Sequence, residues 1–85
     1  MRMTGNVRED AKGILLYVLE NRGQLTEANL MKSFQVEPAY LKKVIDKLRG
    51  QKVLRSNGVA GLKVDVKQAL GKQYLNQDDI NFYTG

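Results

Sequence analysis

The hydrophobic period of this chain changes at Gly50, and that change limits the folds that the sequence can adopt. Before Gly50, apolar residues recur three and four positions apart, a spacing that places side chains on one face of an α-helix. After it, Val53 to Arg55 and Leu62 to Val66 are short β-prone runs, the second alternating strictly between apolar and polar residues. The sequence therefore predicts an α+β fold that is mostly α, with helices first and a β-hairpin after them.

Three helices are predicted before Gly50. The first has about fifteen residues and starts at Val7, after an Asn6–Glu9 pair with the spacing of a capping box. The second is short and follows Thr26, a good N-cap residue. The third begins at Pro38, because proline suits the first helical position while the residue before it is pushed out of the helical region, and Glu37 could accept amide hydrogens at this start. Its apolar residues are Leu41, Val44, Ile45 and Leu48.

The segments after Gly50 are less regular. The loop between the two β-prone runs, Ser56 to Gly61, contains an Asn-Gly pair that favours a hairpin turn. Gln68 to Leu75 could form one more short helix. The tail beyond it carries Ile80, Phe82 and Tyr83, which would be unusual in a terminus without contacts.

The positive charge of the chain is concentrated in one stretch. The net charge of the 85 residues is +5, and residues 42–55 contain six cations against one anion, Asp46, so this stretch accounts for the whole excess. Such a local concentration is expected of a phosphate-binding surface. The alternative is a solvated helix face whose lysines only keep the protein in solution.

The composition argues against several other classes. Without cysteine or histidine there is neither a disulfide framework nor a zinc site of the usual kind, and no metal or cofactor is expected. The missing histidine and the lack of a phosphate-loop or dinucleotide-binding pattern also argue against an enzyme. The longest apolar run, Ile14 to Leu19, is six residues, whereas a bilayer span needs roughly 20. We expect a cytoplasmic or nucleoid-associated protein that does not bind membranes.

From Val7 to Val66 the chain resembles a winged helix-turn-helix domain, and the resemblance rests on the sequence from Leu25 to Arg55. In that family the second and third helices form the helix-turn-helix, and the strands that follow form the wing. Leu30 and Phe34 are similar to the packing residues of the supporting helix, and Val36 to the apolar residue of the turn. The matching inner face of the recognition helix consists of Leu41, Ile45 and Leu48, and Val53 and Leu54 match the first wing strand. Glycine is frequent in the family where Lys52 stands here.

The resemblance implies an organisation into three parts. These are an N-terminal arm (1–6), a three-helix winged helix-turn-helix domain with a β-hairpin wing (7–66), and a C-terminal extension (67–85). The implied function is that of a transcriptional regulator or an architectural protein that binds double-stranded DNA, with helix 38–49 in the major groove and hairpin 53–66 as the wing. Neutralising about five phosphates would give a log–log salt slope near −4 to −5.

The expected DNA contacts lie on the outward side of the third helix and on the hairpin. On a helical wheel, small Ala39 lets the helix approach the groove, and Lys43 and Lys47 lie one turn apart on the same side. The full set is Ala39, Tyr40, Lys42, Lys43, Lys47, Arg55, Asn57 and Lys63. For Tyr40, packing against the first helix is an equal alternative to a phosphate contact.

Two other functions stay open. Winged helices also serve as protein-interaction adaptors, and Leu16 points away from the main apolar face of the first helix, with Tyr17 at its margin. Either the tail residues Ile80, Phe82 and Tyr83 cover this side, or a second copy of the chain does, as in a homodimer. A protein partner could bind the same residues. The third alternative is an RNA-binding or ribosome-associated protein with its wing on phosphates.

Overall fold

The computed structural model describes residues 4–21, 24–34, 37–57 and 61–84, without the side chains of Ser56, Asn57 and Thr84. The helices are α1 (Val7–Glu20), α2 (Glu27–Ser33), α3 (Pro38–Gly50), α4 (Val66–Gly71) and α5 (Gln77–Thr84). The strands β1 (Leu54–Asn57) and β2 (Gly61–Val64) form one antiparallel hairpin between α3 and α4. The expected α+β fold that is mostly α is therefore confirmed.

The first two helices start where their caps predict. The Asn6 side chain accepts hydrogen bonds from the backbone N–H groups of Arg8, at 3.0 Å, and Glu9, at 3.1 Å. The second half of the predicted capping box is wrong, because the Asn6 N–H donates to Thr4 Oγ1 rather than to Glu9. Thr26 caps α2 by accepting from the N–H of Asn29 at 3.1 Å.

The third helix begins at Pro38 as predicted, but its cap differs. The Glu37 side chain makes no capping hydrogen bond; only its backbone carbonyl accepts, from the N–H groups of Tyr40 and Leu41. At the other end, the N–H of Val53 donates to the Leu48 carbonyl at 3.0 Å, a Schellman closure. This closure places Lys52 at φ 61°, in the left-handed region that favours glycine.

Both strands of the hairpin are shifted from their predicted positions, toward the turn. Arg55 pairs with Lys63 across the strands, and the last pair joins Asn57 to Gly61, so three residues predicted to lie in the loop, Ser56, Asn57 and Gly61, belong to the strands. Residues 58–60 are not described. The predicted second strand ended at Val66, but β2 ends at Val64 because the Asp65 side chain accepts from the N–H of Gln68 at 3.1 Å and so starts α4. The hairpin is joined to the α1–α2 connection by one backbone hydrogen bond, from Leu62 N–H to Leu25 O at 2.7 Å.

The segment after the hairpin forms two helices instead of one. The helix predicted over Gln68 to Leu75 starts earlier and ends at Gly71, where Gln73 adopts φ 61° and the Tyr74 N–H donates to the Ala69 carbonyl. Then α5 starts with a reciprocal cap: Asn76 Oδ1 accepts from the Asp79 N–H, and Asp79 Oδ2 accepts from the Asn76 N–H. The tail, for which no secondary structure was predicted, thus forms a helix.

One hydrophobic core joins all of these elements. In the described residues, α1 contacts α3, β2 and α5, and α3 contacts β1. The fully or almost fully buried apolar residues are Ala11, Ile14, Leu15, Val18, Leu25, Leu30, Phe34, Leu41, Val44, Ile45, Leu48, Val53, Leu54, Leu62, Val64, Ala69, Tyr74, Leu75 and Ile80. The last four of these come from the segment after the hairpin. None of the helices in the described ranges is long and apolar enough to span a membrane.

Candidate nucleic-acid interface

Helix α3 has one buried side and one exposed side. Its four inner apolar residues, Leu41, Val44, Ile45 and Leu48, are 0% exposed. Ala39, Lys42, Lys43, Asp46 and Lys47 are all exposed, as the helical spacing predicts. The core therefore holds the helix from behind and leaves its lysine-bearing side in solvent.

The side of α3 opposite its buried residues is narrow, and two of the four residues that form it are small. Four exposed residues spaced by four, three and four positions form it, and we call them the outer stripe: Ala39, Lys43, Asp46 and Gly50. A Cβ placed on Gly50 would meet no atom within 4 Å. Because both ends of the stripe are small, a groove could approach the helix backbone closely, with Lys43 and Asp46 projecting between the ends.

The cations of residues 42–55 differ in their surroundings. Among the described residues, Lys42, Lys43 and Lys47 have no ion-pair partner. Arg49 Nη2 instead lies 3.2 Å from a carboxylate oxygen of Glu27 on α2, and Arg55 Nη2 lies 3.1 Å from Asp65 Oδ2. Both arginines of the stretch are therefore partly neutralised by acidic residues from outside it. The available positive charge belongs mainly to lysines.

The hairpin contributes its cations on one side. Arg55 and Lys63 are directly opposite each other, exposed, and alternate with the buried residues Leu54, Leu62 and Val64. Like charges in this position repel. Asp65 relieves the repulsion, since one carboxylate oxygen binds Arg55 while the other caps α4. The predicted contact Asn57 has a backbone position at the end of β1, but its side chain lies outside the description.

Tyr40 packs against the first helix, which is the alternative interpretation of this residue. The ring is half-buried, and the hydroxyl donates a 2.5 Å hydrogen bond to Asp10 Oδ2 on α1. The Asp10 carboxylate raises the pKa of Tyr40 to about 12. In this conformation the hydroxyl proton is directed to Asp10 and not to solvent. The DNA contact by Tyr40 stays a prediction.

Asp10 is the buried polar residue that the sequence analysis missed. It is 4% exposed and also accepts hydrogen bonds from Thr4 N–H at 2.7 Å, Thr4 Oγ1 at 3.0 Å and Gly5 N–H at 3.0 Å. Burial by itself raises the pKa of Asp10, but the hydrogen bonds from Tyr40, Thr4 and Gly5 outweigh burial and lower the pKa. Asp10 thus fastens residues 4–5 and the start of α3 to α1. Its position near the N-terminus of a helix indicated only a favourable interaction with the helix dipole.

The residues expected to contact a partner differ in how far they are buried. Leu16 and Tyr17 are half-buried against the core, and the Tyr17 hydroxyl lies 2.9 Å from Ser33 Oγ. Ile80 is buried, and Lys12 of α1 lies 3.4 Å from Asp79 of α5, so the tail folds back onto α1. Tyr83 is half-buried and Phe82 is 80% exposed.

The described residues include no group of three or more acidic, cysteine or histidine side chains arranged to hold a metal ion. An open depression of about 410 Å³ is lined by Arg55, Lys63, Val64, Asp65 and Val66, from the hairpin and the start of α4.

A scan against protein-family models, a search of curated proteins and a search of solved structures each found no match for this chain.

Proposed function

We propose that this protein binds double-stranded DNA as a winged helix-turn-helix regulator or architectural protein, with α3 in the major groove and the hairpin as the wing. The observation that carries the proposal is the exposed side of α3, where Lys42, Lys43 and Lys47 stand opposite a fully buried apolar side. The order of elements, three helices and then an antiparallel hairpin, supports it. We place the protein in the cytoplasm or on the nucleoid.

The dimensions of α3 suit this role. Thirteen residues make a helix of about 20 Å at 1.5 Å per residue, and a major groove about 12 Å wide admits one helix. With Arg55 held by Asp65, the available cations are Lys42, Lys47, Lys52 and Lys63 beside Lys43. If about four of them neutralise phosphates, the log–log salt slope is about −4, slightly shallower than a charge count alone predicts.

A binding titration on a mixed-sequence duplex at about 50 and 200 mM salt tests the proposal. We expect Lys43→Ala/Lys47→Ala to weaken binding by about 10-fold or more at the lower salt and to reduce the slope by about 1 to 2. The matched control is Lys32→Ala/Lys72→Ala, which removes the same charge from exposed positions outside α3 and the hairpin. No binding by the wild type at the lower salt, or equal affinities of the two double variants, would contradict the proposal.

A protein-interaction role is the second candidate, and the exposure of Phe82 favours it. A phenylalanine that is 80% exposed, in edge contact with Tyr83 at a centroid distance of 4.9 Å, is an anchor of the kind found at interfaces. The surface would serve either a homodimer, which could present two α3 helices to a palindromic site, or a different protein. Sedimentation of the wild type and Phe82→Ser distinguishes these: loss of self-association supports the dimer, and a monomeric wild type excludes it.

RNA is the remaining alternative partner, because a basic surface that binds phosphates does not by itself distinguish the two nucleic acids. Competition between duplex DNA and duplex RNA of the same sequence separates them. The deep, narrow major groove of RNA does not admit side chains, so insertion of α3 requires DNA to compete much better.

A further inference from the structure

The outer stripe of α3 contains a carboxylate in the middle of the basic surface. Asp46 is exposed, with lysines four and three positions before it and one position after it. Among the described residues it forms no ion pair with any of them. It is on the side opposite the buried residues Leu41 and Leu48, so the fold does not depend on it.

A carboxylate in this place opposes the binding of phosphates. It adds a negative charge where the surface meets a polyanion, and it gives α3 little in return. Lys42 precedes it by four positions, which is the weaker orientation for a helical ion pair, and Arg49, three positions after it, pairs with Glu27. A surface selected only for affinity would carry a neutral or basic residue here. Interfaces that discriminate among partners, in contrast, often contain a group that repels the wrong ones.

Base edges in the major groove offer a specific partner for such a group. Carboxylates accept from the cytosine N4 amino group, and lysines donate to guanine O6 and N7. Lys43 and Asp46 are three residues apart, about 4.5 Å along the helix axis, which is close to one base-pair step of 3.4 Å. The small residues Ala39 and Gly50 at the ends of the stripe let both side chains reach the same or adjacent base pairs.

We propose that Lys43 and Asp46 form a donor–acceptor pair that selects G·C base pairs, with Asp46 as a specificity determinant that lowers affinity for all other sequences. The inference rests on the proposed insertion of α3 into the major groove. It narrows the substrate to duplexes with a G·C-containing core.

The test is a selection of bound duplexes from a randomised pool, followed by titration of the selected and scrambled sequences. For the wild type we expect a preferred site with G·C at one or two positions and about a 5- to 10-fold advantage over the substitution of A·T there. Asp46→Ala should bind scrambled duplex more tightly than the wild type and lose that advantage. Asp46→Asn should move the preference toward adenine, which an amide side chain recognises.

A matched control is Glu20→Gln, which makes the same change of charge at an exposed position on α1. It should leave base preference unchanged. The inference is overturned if the wild type binds duplex DNA without G·C preference, or if Asp46→Ala keeps the wild-type preference. Failure of the proposed function is a different result, in which neither the wild type nor any variant binds the pool at low salt.

Discussion

Helix α3 and the hairpin both carry cations on their exposed sides, but they hold these cations differently. Lys43 and Lys47 stand in solvent without ion pairs among the described residues, whereas Arg55 is bound by Asp65. Asp65 cannot simply move away, because it also caps α4. The comparison shows that the charge of a segment and the charge that the segment offers to a ligand are different quantities. We therefore expect α3 to dominate binding and the hairpin to contribute less than its sequence indicates.

The largest expected effect concerns the two sides of α3. Ile45→Ala removes a side chain that is 0% exposed and should lower the free energy of unfolding by about 2 to 5 kcal/mol. Lys47→Ala, two positions away on the exposed side, should change it by less than about 0.5 kcal/mol and yet weaken DNA binding. Urea denaturation followed by circular dichroism measures the free energy of unfolding of both variants. A similar loss of stability in the two variants would mean that Lys47 packs in the core.

The next effect tests how the start of α3 is held. Tyr40→Phe removes the hydrogen bond to the Asp10 carboxylate and should cost about 1 to 2 kcal/mol of stability. Loss of DNA affinity without loss of stability would instead indicate that Tyr40 contacts a phosphate.

The same variant should change the pH dependence of stability. Because the folded pKa of Asp10 is lowered, its contribution is present above the unfolded pKa, near 3.9, and is lost as the pH falls through the folded pKa. Because the pKa of Tyr40 is raised to about 12, its contribution is present below an unfolded pKa of about 10 and is lost as the pH rises through 12. In Tyr40→Phe the free energy of unfolding should fall less at acid pH than it does in the wild type. The fall at alkaline pH that ionisation of the Tyr40 phenol causes should be absent.

A smaller effect is expected when the hairpin arginine is released. Asp65→Asn retains a good N-cap for α4 but removes the charge that binds Arg55. Affinity for mixed-sequence duplex should rise by about 3- to 10-fold and the salt slope should steepen by about 1. The control Asp65→Asn/Arg55→Ala should lose the gain. If Asp65→Asn binds more weakly than the wild type, Asp65 orients Arg55 for DNA rather than competing with it.

The smallest effect is at Lys52, in the connection between α3 and the hairpin. Lys52 and Gln73 both have φ 61° after a helix end, where glycine avoids the left-handed strain. Lys52→Gly and Gln73→Gly should each raise stability by up to about 1 kcal/mol, or a few degrees in melting temperature. Only Lys52→Gly should weaken DNA binding, by about 2- to 4-fold, since it also removes a cation. Equal binding by both variants would exclude Lys52 from the interface.

The parts of the fold that the sequence predicted correctly depend on local chemistry. Asn6, Thr26 and Pro38 start their helices because capping and the proline ring act within one turn. The two sides of α3 follow from helical periodicity alone. The turn that ends α4, where Gln73 adopts φ 61°, was missed because non-glycine residues seldom adopt this conformation, so nothing in the sequence marked it.

The features that sequence reasoning missed depend on contacts between distant residues. Asp10 meets Tyr40 thirty positions away, and no spacing rule links them. The alternation of apolar and polar residues placed Asp65 in a strand. Its side chain instead caps α4, and this local hydrogen bond outweighs the alternation. The tail was not predicted to be a helix, although Asn76 and Asp79 have the spacing of a reciprocal cap. That last pattern could have been found.

The most direct test of the claim that α3 presents its lysine-bearing side to DNA is a residue-by-residue map of the contact in solution. Amide chemical shifts of the ¹⁵N-labelled protein would be followed during titration with a mixed-sequence duplex. We expect the largest changes at residues 39–50, smaller ones at residues 52–55 and 61–65, and no change in α5. Changes centred on α5 and α1, with α3 unaffected, would contradict this claim.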